Sequence, residues 1–161
     1  MMKFITRLFA QKEPALSDAT SRDAASIAAL HAVSFRRGWS EQEVEVLLTD
    51  RHVFTQRAMR GGKFAGFIMS RLVEDEAEIL SVAVAPNARG RGLARNLLTL
   101  HLRRLAGHGA RAVFLEVDEN NAPALRLYNR AGFVEVARRP NYYEGAGGPS
   151  ATALVLRRDL V

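Results

Sequence analysis

The stretch from Ile79 to Ala94 constrains the fold more than any other part of the chain. An apolar run stops at Pro86, an Arg/Gly-rich turn follows, and a Leu-rich segment begins after Gly92. This order predicts a strand, a loop and a helix. Because Gly90 and Gly92 carry no Cβ, the backbone can turn tightly there and direct the free N–H groups of the helix's first turn at an anion. The pattern therefore predicts a phosphate-binding loop.

Positive charge is concentrated beside this loop. The window from Ile79 to Leu115 contains no Asp or Glu and carries a charge of +6, which equals the formal net charge of the whole chain. Such a field favours the capture of a polyanionic small molecule. The basic character also raises the possibility of nucleic acid binding, but no known RNA- or DNA-binding motif accompanies it. The charges belong to Arg89, Arg91, Arg95, Arg103, Arg104 and Arg111.

Length and composition predict one domain with a single core, since the chain has 161 residues and 48% of them are hydrophobic. Cysteine is absent, which excludes disulfides, thiolate metal sites and a cysteine nucleophile. The apolar runs are too short to cross a bilayer, and the first residues make a poor signal peptide. We therefore expect a cytoplasmic protein with an N-terminal extension over residues 1–14, whose apolar residues fit one helical face, and a single domain over residues 15–161.

The remaining pattern predicts a mixed α+β fold with a central, partly parallel sheet and flanking helices. The nearly all-apolar strand after the Leu-rich helix indicates burial on both faces and parallel pairing with the strand before that helix. An Arg-Gly-Gly-Lys turn predicts a hairpin earlier in the chain. The predicted helices span about 20–35, 40–48, 93–107 and 121–132, and the predicted strands span 15–17, 53–59, 64–69, 78–84, 112–117, 133–139 and 151–157.

Glu116 is the most informative single residue, because it lies inside an otherwise apolar strand. Burying an unpaired carboxylate is costly, so such a residue needs a partner or a role. A general base is one reading, and a glutamate paired with an arginine or facing solvent at the strand end is the other. The spacing alone does not choose between them. Tyr128, on the following helix, could return its hydroxyl toward the end of that strand, although a tyrosine at such a position is more often part of the core.

Other common sites do not fit the sequence. Arg95 stands where a dinucleotide-binding fingerprint needs a small residue, and no carboxylate follows at the ribose-binding distance. There is no Walker motif and no Gly-x-Ser-x-Gly elbow. The four histidines do not have the spacing of metal ligands, so no metal site is predicted.

Several blocks of the chain together resemble the GNAT family of N-acetyltransferases. The first block, Arg89-Gly90-Arg91-Gly92-Leu93-Ala94, is similar to the family's Arg/Gln-x-x-Gly-x-Gly/Ala coenzyme signature. The others are Leu115-Glu116-Val117, the segment from Asn121 through Leu127-Tyr128 to Gly132-Phe133, and Arg139-Pro140-Asn141-Tyr142-Tyr143. The resemblance covers roughly residues 25 to 160 and implies the GNAT fold.

The resemblance implies acetyl-CoA as co-substrate. The backbone amides of the loop would hold its pyrophosphate, and the main chain of Val82, Ala83 and Val84 would pair with the pantetheine arm where two strands separate. Asn121 would help to seat the coenzyme. The loop residues concerned are Gly90, Arg91, Gly92, Leu93, Ala94 and Arg95.

The resemblance also implies roles for the two candidate catalytic residues. Glu116 would take a proton from an acceptor ammonium, directly or through water, and Tyr128 would protonate the departing thiolate. An ammonium is not nucleophilic until it is deprotonated, which gives the base its purpose. Glu78 is a rival base, since other branches of the family use a glutamate on this strand, and strand alternation predicts that it shares a face with Leu80 and Val82.

The last two blocks look most like the branch that acetylates the N-terminal alanine of ribosomal protein S18. This implies a peptide or protein N-terminus as partner, with no direct contact to nucleic acid or membrane. Ser81 in place of a common Asn, and Pro140 within the Arg-Asn-Tyr-Tyr run, predict a different peptide groove. The alternatives are an acetyltransferase for a small amine or for other N-termini, a non-catalytic coenzyme-A-binding module, and a basic RNA-associated protein whose RNA binding falls with salt.

Overall fold

Residues 13–141 and 151–160 are described in this computed structural model. Its helices are α1 (Ala24–Ser34), α2 (Glu41–Thr49), α3 (Leu93–Gly107) and α4 (Ala122–Arg130). Its strands are β1 (Ala15–Asp18), β2 (Val53–Arg60), β3 (Lys63–Val73), β4 (Glu76–Val84), β5 (Ala112–Asp118), β6 (Val134–Arg139) and β7 (Ala153–Asp159). They form one mixed sheet in the order β1-β2-β3-β4-β5-β7-β6. The predicted α+β class is confirmed.

Some predictions fall outside the described residues. The extension over residues 1–14 is described only at Glu13 and Pro14, and the loop from Pro140 to Pro149 only at its first two residues. Tyr142 and Tyr143 lie outside as well. In the part of the chain that the structure does describe, no helix has both the length and the apolar character needed to cross a membrane.

Helix α2 begins where it was predicted, whereas α1 begins at Ala24, later than the predicted start near residue 20, because a 3-10 turn precedes it. The Thr20 side chain accepts a hydrogen bond from a backbone amide of the 3-10 turn Ser21–Asp23 that leads into α1. Ser40 caps α2, and the Glu43 carboxylate accepts a hydrogen bond from the backbone N–H of Ser40 at 2.8 Å. A reciprocal pair of this kind satisfies two amides that a helix end otherwise leaves unpaired.

Strands β2, β3 and β4 form an antiparallel meander, as predicted, but their lengths differ from the prediction. β3 continues to Val73 and β4 already begins at Glu76, so the acidic turn is only Glu74-Asp75. A bulge places Leu80 as an extra residue in β4, because Ser81 pairs with Met69 while Ile79 pairs with Ser70.

Because of the bulge, the predicted alternation of side chains between the two faces of β4 is wrong. Val82 pairs with Ile68 and packs against the core on the α3 face, whereas Ser81 pairs with Met69, which lies in the core on the α1 and α2 face. Glu78, which precedes the bulge, therefore does not share a face with Val82. An extra residue reverses a period of two, and the sequence carried no Gly or Pro to mark it.

Strands β4 and β5 are parallel neighbours, as predicted, but only briefly. Their pairing runs from Glu76 with Ala112 to Glu78 with Phe114 and goes no further. On its other side β5 pairs antiparallel with β7 along its whole length, from Ala112 to Asp118. Beyond Glu78, β4 thus pairs with β3 alone as far as Val84, and a gap opens between β4 and β5 in the middle of the sheet.

Helices cover both faces of the sheet and make two cores. On one face, α3 contributes the buried Leu97, Leu98 and Leu105. On the other, α1 and α2 pack Ile27 and Val44 onto Phe67 and Met69. A three-layer arrangement, with helices on both faces of the sheet, thus explains why the helices are amphipathic and the central strands are largely buried.

One buried polar network ties α3 to the sheet. The His101 side chain is fully buried, its Nδ1 bonds Gln56 Oε1 on β2, and its Nε2 bonds Ser70 Oγ on β3. Because an amide oxygen only accepts, Nδ1 carries the proton, and the Ser70 hydroxyl then donates to Nε2. Burial lowers the pKa of His101 to about 3, so the ring is neutral in the folded protein.

This network predicts a specific acid sensitivity. Below the unfolded histidine pKa of about 6.5 the unfolded chain binds a proton that the native ring does not, so stability falls with pH by up to about 1.4 kcal/mol per unit until the native pKa is reached. His101→Gln removes that titration. We therefore expect the difference in the free energy of unfolding between wild type and variant to decrease by about 1.4 kcal/mol from pH 7.5 to pH 5.5. Urea unfolding at the two pH values measures this difference. Other titrating groups are common to both proteins, so parallel pH profiles would contradict the assignment.

Candidate active site

The gap between β4 and β5 opens into a cleft of about 810 Å³, here called the main cleft. One wall is the edge of β4 at Val82, Ala83 and Val84, whose opposite edge pairs with β3. A second wall is α4, beginning at its N-cap Asn121, and the loop before α3 closes one end. Backbone N–H and C=O groups of β4 on the cleft side have no β5 partner there, so they can bind an extended ligand arm.

The loop before α3 has the geometry that its glycines predicted. Gly90 and Gly92 adopt φ values of 81° and 77°, in the left-handed region. Gly92 is the N-cap of α3 and provides no side-chain cap, which leaves the first-turn amides available to a ligand. The Arg89 guanidinium donates from Nε to the Val84 carbonyl at 3.0 Å and fixes the loop to the end of β4. This is an anion cradle at a helix N-terminus.

The main cleft is electropositive. No Asp or Glu is among the described residues that line it, whereas four arginines are: Arg89, Arg95, Arg126 and Arg130. The sequence window predicted Arg89 and Arg95. Arg126 and Arg130 were missed, although their spacing of four residues on one helix face was a visible signal. The charge favours a phosphate-bearing ligand.

A second cavity of about 460 Å³, here called the side pocket, adjoins the main cleft. The residues that line both cavities are Ser34, Val82, Asn121, Ala124 and Tyr128. Glu116 of β5 lines only the side pocket, together with Leu80 and Ser81 of β4 and Phe35 and Arg36 beyond α1. The segment after α1 was not predicted to contribute, because nothing in its composition marks it as a pocket wall.

Glu116 is one-quarter exposed and forms an ion pair with Arg139, with 3.2 Å between Oε1 and Nη1. The carboxylate is therefore paired with an arginine, one of the two possibilities that its sequence position left open, and it also lines a pocket. Because the Arg139 side chain is more than half exposed, solvent screens the pair and its contribution to stability is small.

Tyr128 lies at the junction of the two cavities. Its side chain is 7% exposed and packs edge-on against Phe133, with 5.5 Å between ring centroids. Burial raises the pKa of Tyr128 to about 12, since the phenolate would be poorly solvated. The hydroxyl therefore keeps its proton at neutral pH, as a general acid requires.

Glu78, the rival base, lies elsewhere. It is exposed and lines a different depression with Arg71 and Phe114, not either of the cavities that contain Tyr128. Most of the other sequence-predicted site residues do come together: Val82, Ala83, Val84, Gly90, Gly92, Leu93, Ala94, Arg95, Asn121 and Tyr128 all line the main cleft. Arg91 does not line it.

Comparison with known proteins identifies this arrangement. The model of the acetyltransferase (GNAT) family matches residues 24–133. A ribosomal protein bS18-alanine N-acetyltransferase from Escherichia coli K12 is 36% identical over 110 residues, which are 68% of this chain and 74% of the relative. A mycothiol acetyltransferase from Streptomyces bingchenggensis is 42% identical over 78 residues, which are 47% of this chain and 25% of that protein.

The fold agrees with the sequence comparison. The crystal structure of the ribosomal-protein-S18-alanine N-acetyltransferase from Escherichia coli superposes with a TM-score of 0.84 at 27% identity, covering 92% of this chain and 94% of that one. Fold and cleft thus define an acyltransferase with a GNAT architecture. This chain belongs to the GNAT family and is an acetyl-CoA-dependent N-acetyltransferase.

The loop geometry generates a prediction with a matched control. Gly90→Ala forces an L side chain into the left-handed region and distorts the anion cradle, although no atom lies within 4 Å of the new Cβ. Gly62→Ala imposes the same change in the β2–β3 turn, at a φ of 78° and also in open space. Both variants should lose about 1 kcal/mol of stability.

Only Gly90→Ala should weaken acetyl-CoA binding, by roughly tenfold, because one or two amide hydrogen bonds to phosphate are lost. Titration calorimetry with both variants and the wild type measures this. Equal affinities for all three proteins would show that the loop does not hold the coenzyme.

Proposed function

We propose that this protein transfers the acetyl group of acetyl-CoA to a protein N-terminal α-amine, and that its acceptor is the N-terminal alanine of ribosomal protein S18. The observation that carries the proposal is the pair of adjoining cavities: an electropositive cleft beside a pocket that contains a carboxylate, with Tyr128 in the wall of both. The Escherichia coli relative, 36% identical, is named for that reaction.

The residues present suit the coenzyme. Phosphates would be held by the amides after Gly92 and by the arginines of the main cleft, and the pantetheine arm by the unpaired backbone of Val82, Ala83 and Val84. Bound acetyl-CoA supplies a thioester whose carbonyl carbon is the electrophile. The cavity walls meet at Tyr128, so the thioester end of the arm and the acceptor approach each other there.

Glu116 serves as the base in this proposal. It takes one proton from the acceptor ammonium, directly or through a water, and passes it to solvent. The ammonium takes the place of Arg139 beside the carboxylate, so one cation substitutes for another and the local charge is unchanged. The resulting amine attacks the thioester carbonyl, a C–N bond forms and the C–S bond breaks.

Tyr128 serves as the acid. Its hydroxyl gives a proton to the departing sulfur and regains one from the newly acylated nitrogen, so that the nitrogen loses two protons in all. Because burial raises the pKa of Tyr128, the hydroxyl keeps its proton until the thiolate forms. No covalent enzyme intermediate is required.

The first test of the mechanism compares two glutamates on neighbouring strands. Glu116→Gln keeps the shape of the side chain but cannot take a proton, so we expect kcat at pH 7.5 to fall by about 100-fold with acetyl-CoA affinity nearly unchanged. Glu78→Gln removes an exposed carboxylate outside both cavities and should leave kcat as it is. The reverse result in steady-state kinetics would transfer the role of base to Glu78.

The second test identifies the acceptor. A peptide with an S18-like Ala-Arg N-terminus, the same peptide with a blocked N-terminus and a small polyamine are incubated separately with enzyme and acetyl-CoA. Intact-mass analysis should show one acetyl group on the free peptide and none on the blocked one. Acetylation of the polyamine alone would favour a small-amine acceptor. The similarity of part of the chain to a mycothiol acetyltransferase is the reason to include this alternative. Coenzyme binding without any transfer would favour a non-catalytic module.

A further inference from the structure

The Ser81 hydroxyl is an anomaly within the side pocket. Ser81 is only 6% exposed, and within the described part of the chain its Oγ is the one fully buried side-chain N or O atom that has no hydrogen-bond partner. A buried polar group left unpaired costs about 1–3 kcal/mol. Such groups are rare in native proteins, so this one needs an explanation.

The strand register places Ser81 level with the candidate base. The last β4–β5 pair joins Glu78 to Phe114, and Glu116 lies two residues further along β5. On β4, the bulge at Leu80 makes Ser81 the second pairing position beyond Glu78. Ser81 and Glu116 are therefore level with each other on the two strands, at the point where those strands separate, and both line the side pocket.

Four neighbouring polar side chains are already engaged. Glu116 is paired with Arg139, and Ser34 donates to the Leu30 carbonyl at 2.7 Å. Asn121 accepts from the Ala124 amide, and Asp118 accepts from the Asn120 amide. Ser81 differs from these residues, because it lines the pocket and its hydroxyl is unused. It does not line the main cleft, so its ligand is the acceptor rather than the phosphate-bearing part of the coenzyme.

We propose that Ser81 is a positioning residue for the acceptor amine. Its hydroxyl oxygen accepts a hydrogen bond from one N–H of the amine, while Glu116 takes the proton that the ammonium must lose. Held at two points, the nitrogen turns its lone pair toward the thioester, and a primary amine, with its several N–H groups, satisfies both. The inference rests on the proposed function, since it assumes that an amine occupies the side pocket.

Ser81→Ala gives an unusual expectation. Removal of a hydroxyl that has no partner in the free protein should leave stability unchanged or slightly raised. With the Ala-Arg peptide as acceptor, however, kcat/KM should fall fivefold to tenfold, which is the worth of about 1 kcal/mol. Acetyl-CoA affinity should stay the same, and Ser81→Thr, which keeps the hydroxyl, should restore much of kcat/KM.

Ser70→Ala is the matched control. Its hydroxyl is also buried but already bonds His101, away from both cavities. This variant should lose stability in urea unfolding and keep its kcat/KM, the opposite pattern to Ser81→Ala. If folded Ser81→Ala, checked by its coenzyme affinity and unfolding midpoint, has the wild-type kcat/KM, Ser81 does not hold the acceptor. If the wild type itself does not acetylate the peptide, it is the proposed function that fails.

Discussion

The functional site depends on the early end of the pairing between β4 and β5. Parallel strands normally continue side by side, but here the β4–β5 pairing stops at Glu78 and Phe114. The bulge at Leu80 then changes the direction of the rest of β4. The backbone that would have paired with β5 is thereby left for a ligand. The same separation puts Ser81 and Glu116 in the lining of one pocket, and α4 places Tyr128 in the walls of both cavities. A continuous sheet would remove every one of these features.

The separation of the strands also divides the charges. The main cleft is lined by arginines and by unpaired helix amides, a field suited to phosphates. The carboxylates of Glu116 and Asp118 line the side pocket only. The main cleft has the charge that a polyanionic coenzyme requires. In the side pocket Arg36 and the Glu116-bound Arg139 balance the two carboxylates, so in the proposed reaction the cationic amine binds by taking the place of a guanidinium. Tyr128 lines both cavities.

Local signals predicted much of this arrangement. The glycines and arginines after Pro86, the capping pair of Ser40 with Glu43, and the parallel strand containing Glu116 all have short-range physical causes, so they could be read from the sequence. The bulge could not, because it depends on how β3 and β4 fit together across the sheet. Pairing of Glu116 with an arginine was one of its two readings, but the partner Arg139 could not be named, because the two residues lie on strands that are neighbours only through β7.

Two buried polar side chains show how this fold separates structure from function. His101 is fully enclosed, and both of its ring nitrogens are bonded, which locks α3 against β2 and β3. Ser81 is nearly as buried, yet its hydroxyl has no partner. The satisfied group is explained by stability. The unsatisfied one costs stability in the free protein, and the proposed contact with an acceptor amine would complete its hydrogen bonding.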